Sequence, residues 1–139
     1  MSACSDFLEN KLLDHTLRYG TSPYVAPSTV YVGLFTSNAN LELNSLANST
    51  EISTSGTAYA RTAGTFGNAA SGGSISNSAS ITFPTATADW GVITHVAICD
   101  GPTRAAGNVM YYGQLTTSKN VTIGDTFTIN SNNLTVTLA

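Results

Sequence analysis

Charge is what this sequence most conspicuously lacks. Only 9% of its 139 residues are Asp, Glu, Lys or Arg, against roughly 25% in an average soluble protein. Five basic and eight acidic residues leave a net charge of −3. That balance offers no basic stripe for nucleic acid and too little charge for a disordered chain. Cysteine is scarce too: Cys4 lies ahead of the first expected element and Cys99 inside an apolar run. Free thiols are expected from such a pair, not a disulfide framework. No apolar run approaches the ~20 residues of a membrane-spanning helix. The opening MSACSDFLENKLLDH turns acidic before an apolar leader core forms, so no signal peptide and no membrane partner are expected.

What replaces charge is neutral polarity. The chain holds 21 Thr, 16 Ser and 12 Asn, while the hydrophobic share stays at 42%. The length suits one domain of ordinary size. It reads as a globular protein with a surface of hydroxyls and amides.

One helix is expected, at the start. Ser5 or Asp6 can cap it, and Asp6 with Glu9 forms a capping box. Leu8, Leu12 and Tyr19 recur at near-helical spacing, Leu13 and Leu17 widen the stripe, and Phe7 stands near its start. Gly20 supplies a C-terminal stop, and Pro23 and Pro27 forbid continuation. The helical segment holds five of the thirteen charged residues, which marks it as a separate compositional zone.

Beyond the helix the period changes to two. Thr29–Phe35 reads as a strand buried on both faces, and 36–57 as a long loop with at most a short edge strand. Ala58–Arg61 follows, then a Gly/Ser/Ala-rich turn region through Gly73 and a strand within Ser74–Phe83. Gly91–Cys99 alternates cleanly, Asp100-Gly101-Pro102 opens a turn, and Val109–Leu115 returns. Lys119–Ile123, Thr126–Ile129 and Leu134–Leu138 complete the set. Seven or eight short strands and no second helix predict a mostly β fold: an antiparallel β-sandwich or jelly roll with one N-terminal amphipathic helix. The organisation expected is a helix over 1–20, a proline-containing linker over 21–28 and a β-sandwich over 29–139.

Chemistry is hard to find. A nucleophilic triad needs a base oriented by an acid, and the only histidines are His15, on the helix, and His95, mid-strand with Asp100 just beyond. A strand histidine hydrogen-bonded near the core explains His95 more simply. Cys4, His15, His95 and Cys99 make no close-spaced ligand pair. Of Asp89, Asp100 and Asp125, the available carboxylates for glycoside hydrolysis, Asp100 and Asp125 sit where turns need capping. No catalytic residue, metal site or cofactor is assigned, and no enzyme activity is expected.

Two features point outward. Trp90, in Ala-Asp-Trp-Gly ahead of a strong strand, is a candidate end-cap of the sandwich or surface aromatic. The helix is the other, because a lone amphipathic helix is marginal until its apolar face finds a partner. Phe7, Leu8, Leu12, Leu13, Leu17 and Tyr19 are therefore the candidate interface, facing either the chain's own sandwich or a neighbouring subunit.

Several runs carry a resemblance: Thr29-Val-Tyr-Val-Gly-Leu-Phe-Thr, Ala58-Tyr-Ala-Arg-Thr, the stretch Ile81–Ile98 with its Ala-Asp-Trp-Gly-Val-Ile-Thr-His core, Tyr112-Gly-Gln-Leu-Thr-Thr-Ser-Lys, and the closing Gly124-Asp-Thr-Phe and Leu134-Thr-Val-Thr-Leu. Together they resemble a family of small virion structural proteins of tailed bacteriophages, labelled tail-fibre-like and akin to capsid decoration proteins. The resemblance implies assembly in the host cytoplasm without a signal, and location in the virion. It implies first a capsid decoration (cement) protein, a homotrimer partnered by the major capsid protein and stabilising the mature shell. The alternative is a tail-fibre or tail-tip subunit, partnered by tail proteins and touching host-surface glycans. An envelope-degrading enzyme is a third, remote reading.

Overall fold

The computed structural model describes residues 2–20 and 23–138. Among them are nine strands, in antiparallel pairs, and one α-helix. The strands are β1 (Ser2–Cys4), β2 (Val30–Phe35), β3 (Thr62–Gly64), β4 (Ser74–Ser76), β5 (Ile81–Thr82), β6 (Gly91–Cys99), β7 (Val109–Val121), β8 (Thr128–Ile129) and β9 (Thr135–Thr137), and the helix α1 spans Asp6–Leu17. The mostly β architecture with a single N-terminal helix is as the period predicts.

Five strands form the main sheet, in the order β1-β7-β6-β2-β3. Its centre is the β2–β6 pair, in which Leu34 lies opposite Val96 and Val32 opposite Ile98. Strict alternation sends these four to one face and Gly33, Phe35, Ala97 and Cys99 to the other. Gly33 keeps this face tightly packed: a Cβ would stand 3.1 Å from the Phe35 ring and 3.2 Å from Glu51 Oε1, so one of them would have to shift.

The second layer is a long two-stranded ribbon. The β4–β9 and β5–β8 pairs are consecutive stretches of it, and backbone bonds from Leu138 N to Gly73 O and from Ala86 N to Asp125 O extend both ends. Between the two stretches the ladder breaks, and Asn77 fills the break. Fully buried, it donates its amide to Ala79 O and Asn130 O and accepts from Leu134 N. On the ribbon's outer side hydroxyls pair across the strands, Ser74 with Thr137 and Ser76 with Thr135. This is where part of the Ser/Thr excess goes.

The larger core lies between sheet and ribbon. Val32, Leu34, Ile93 and Val96 meet Ile81, Phe83, Phe127 and Ile129, with Tyr59 and Trp90 among them. On the sheet's other face Phe35, Ala97, Cys99 and Val109 are covered by Leu41 and Leu46. The 36–57 loop is thus folded down onto the sheet rather than free. β7 carries an irregularity: Ile93 pairs with Lys119 and His95 with Gln114, so Leu115–Ser118 stand opposite Thr94 alone.

Several boundaries differ from the sequence reading. Cys4 does not precede the first element; it lies in β1, which pairs with β7 through Ala3–Tyr112 and Cys4–Tyr111. β1 is stitched into the sheet that 29–139 was expected to form alone. Of the linker expected over 21–28, Thr21 and Ser22 lie outside the described residues. β3 falls in what looked like a turn region. β7 runs on through two segments that looked separate.

Candidate functional site: the N-terminal arm and its surroundings

Ser5 sets the position of α1. It caps the helix by accepting from Leu8 N, its hydroxyl donates to Val109 O, and its own N–H donates to Met110 O at 3.0 Å. An N-cap that is itself buried and bonded to a strand fixes both where the helix starts and where it points. Asp6 N donates to Glu42 O at 2.9 Å, which ties the same turn to the 36–57 loop.

The helix spends one side on its own domain. Leu8 is buried with Ile98, Met110 and Val136, and Phe7 and Leu12 pack partly against this cluster. The remaining candidates face solvent: Leu13 is 56%, Leu17 76% and Tyr19 105% exposed. The six residues picked from the helix therefore divide into an anchoring set and an unsatisfied set. Val25, 80% exposed, joins the second. Trp90 is no surface aromatic. It is buried, its indole donates to Thr57 O at 2.9 Å, and its ring meets Tyr59 edge-on at 5.4 Å.

One hollow is lined by the arm and another by the sheet and the ribbon. The first, of about 330 Å³, lies between Phe7 and Lys11 of α1 and the Pro23–Val25 segment, with Asp100 at its side. The other, about 740 Å³, is walled by Val30, Phe66, Ile75, Met110, Tyr111 and Leu138, among others. It exists because a ribbon two strands wide, about 10 Å, cannot roof a sheet of five.

None of the candidate chemical groups assembles into a reactive set. Asp100 spends both carboxylate oxygens on the Asn108 N–H and amide, each at 2.7 Å. The adjoining Gly107 has φ +73°, and a Cβ there would sit 2.6 Å from Asp100 Oδ1. Asp89 accepts from Ile123 N, and Asp125 from Thr122 N and its hydroxyl. The Thr122 backbone N–H, then its hydroxyl, holds Asp125 below the usual carboxylate value. His95 shares a hydrogen bond with the Thr94 hydroxyl at 2.8 Å, and burial lowers its pKa. His15 Nδ1 accepts from Tyr24 N at 3.2 Å. Cys4 and Cys99 have β7 between them, two strand spacings or about 9.6 Å, beyond the ~7 Å that a disulfide tolerates. Burial pushes the Cys99 thiol up to about 12. Among the described residues no group of three His, Cys, Asp or Glu can hold a metal ion, and no helix is long and apolar enough to cross a membrane.

The densest polar cluster is one that sequence reasoning missed. Arg61 Nε donates to Glu51 Oε1 at 2.7 Å and Nη2 to Oε2 at 2.9 Å, with both side chains out of solvent. Arg61 Nη1 reaches Gly101 O and Ala106 O, Tyr59 OH donates to Glu51 Oε1, and Ala105 N donates to Oε2. Burial pulls the guanidinium pKa down, but its bonds to Glu51 and the charges around it outweigh that and raise it. Burial, and next the Glu51 charge, raises the Tyr59 phenol. Every group here is matched, so the cluster is a rivet joining three loops rather than a reactive centre. The lone arginine in Ala58-Tyr-Ala-Arg was the one available signal, since a charge inside an apolar, charge-poor stretch needs a buried partner.

No curated protein matches the chain. A family profile described as Podophage GP4 fiber I protein gp80 matches residues 3–137. That span takes in the arm, both layers of the sandwich and the Glu51–Arg61 rivet. The chain therefore belongs to the Podophage GP4 fiber I protein gp80 family, a family of phage virion structural proteins.

Proposed function

We propose that this protein is an architectural subunit of the phage tail fibre. The observation that carries the reading is the fibre-family match over residues 3–137, and it favours the tail over the capsid-decoration role that the resemblance put first. The chemistry of the chain supports a structural task. Asp89, Asp100 and Asp125 cap turns and Glu51 sits in a matched ion pair, and four of the eight exposed large hydrophobics among the described residues lie in or just after the arm. Among the described residues Tyr19 is the one exposed aromatic, the others being buried or half-buried. A glycan platform built on several exposed rings has little to stand on, so the role proposed is assembly rather than host recognition.

Gold-labelled antibody on purified virions, read beside the copy number per particle, tests the proposal. Label confined to the tail at low copy number is the expected result. Label over the whole shell, in numbers matching the capsid subunits, would overturn it in favour of capsid decoration.

A further inference from the structure

We propose that His15 and Tyr24 form a proton-sensitive latch, which ties the Pro23–Val25 segment to α1 and releases it as pH falls. The latch goes beyond the fibre reading and does not rest on it.

The contact itself carries the sensitivity. His15 Nδ1 accepts the backbone N–H of Tyr24 at 3.2 Å. An imidazole nitrogen accepts only while it holds no proton, so the closed latch needs the neutral ring with its hydrogen on Nε2. Protonation places a hydrogen on Nδ1 too, and two N–H groups then point at each other. A bond is lost and a repulsion takes its place. Closing the latch and charging the ring are thus mutually exclusive, and imidazoles change charge between about pH 8 and 5. A carbonyl or amide acceptor at the same place would feel no such change.

The surroundings leave the ring free to switch. His15 is exposed and stands in the last turn of α1, where water and the helix-end carbonyls both welcome a cation. The other charged or titratable groups around the latch are Lys11, Asp14 and Arg18 on α1, Tyr24 on the tied segment, and Asp100 beside the hollow. Lys11, one turn earlier, and Arg18, at the helix end, oppose a further positive charge. Asp14 turns to Arg18 at 3.0 Å, and Asp100 gives both oxygens to Asn108. What the latch controls is the hollow of about 330 Å³, walled by Phe7 and Lys11 on one side and Pro23–Val25 on the other. Tyr24 is its pivot, because the phenol donates to Met110 Sδ at 3.2 Å while the backbone N–H is the end tied to the helix. Charging His15 leaves the phenol seated and lets the backbone wall draw back from α1.

Two-dimensional NMR of the full chain, followed between about pH 8 and 5, tests the latch. The Tyr24 amide signal should move in step with the His15 ring protons, with one midpoint, and the amide should lose its protection from solvent exchange. In His15→Asn the side-chain oxygen stands where Nδ1 stood and does not titrate, so the Tyr24 amide should stay fixed and protected over the whole range. His15→Phe offers no acceptor and should leave that amide unprotected at both ends. A Tyr24 amide that holds still while the His15 ring titrates would overturn the proposal. So would an unaltered Tyr24 titration in His15→Phe, since another group would then be its source. His95→Gln should leave the Tyr24 titration in place, and its disappearance there would equally count against the latch. Tail or shell location, read separately on virions, leaves these outcomes untouched.

Discussion

Glu51 and Arg61 are ten residues apart, yet nothing local announces that they meet. Glu51 lies in a Ser/Asn/Thr-rich loop and Arg61 follows a short apolar run, and the pairing arises only when both are carried under the 101–106 loop. A contact made by tertiary packing leaves no period in a sequence, which is why the rivet escaped it. Removing one half strands the other in the interior. Arg61→Leu should destabilise the fold by about 3–5 kcal/mol, read as a lower urea midpoint with an unchanged slope. Histidine gives a smaller and directional effect. Because burial holds His95 below its ordinary value near 6.5, the unfolded chain takes up the proton first as pH falls. Stability tied to this residue is present above pH 6.5 and is lost as pH drops from there through the lower folded value. His95→Gln should flatten the slope of unfolding free energy between pH 6.5 and 5, and an unaltered slope would count against it. The turn-capping role of Asp100 was legible, since Asp-Gly-Pro states its own chemistry.

Elements were legible in proportion to their length. β6 runs over Gly91–Cys99, as its alternation predicts, because nine residues display a period of two unmistakably. β1 and β3, three residues each, cannot display one. They are strands only because a neighbour offers them its edge. α1 was visible through its caps and leucines, yet its stripe was read too wide, for the sequence shows which residues are apolar but not which of them find cover. That distinction has a measurable form. Leu8→Ala should cost about 2–5 kcal/mol, the range for a buried leucine losing its side chain. Leu17→Ser, on the exposed side, should stay within about 0.5 kcal/mol. Equal losses in urea unfolding would mean that the two leucines share one environment.

As a whole, the molecule joins two layers of unequal width, with an arm woven into the wider one. The class of fold follows from composition: strand-favouring Thr and Val, frequent turns and one helical zone. The inequality of the layers does not, because it depends on which short segments pair. Since β1 belongs to the main sheet and Leu8 to its core, arm and sandwich should melt together. Scanning calorimetry of dilute protein should give a single transition whose calorimetric and van't Hoff enthalpies agree. A separate early transition would mark the arm as an independent unit.

The irregularity in β7 has a consequence for the protein in bulk. Where β1 stops covering β7, Leu115–Ser118 swing out of register with β6, so the backbone there presents no straight row of donors and acceptors. A chain with so little charge has weak mutual repulsion to keep its copies dispersed. A flat margin would invite runaway strand-on-strand stacking of the kind that leads to amyloid. The break in register takes away one such template along β7.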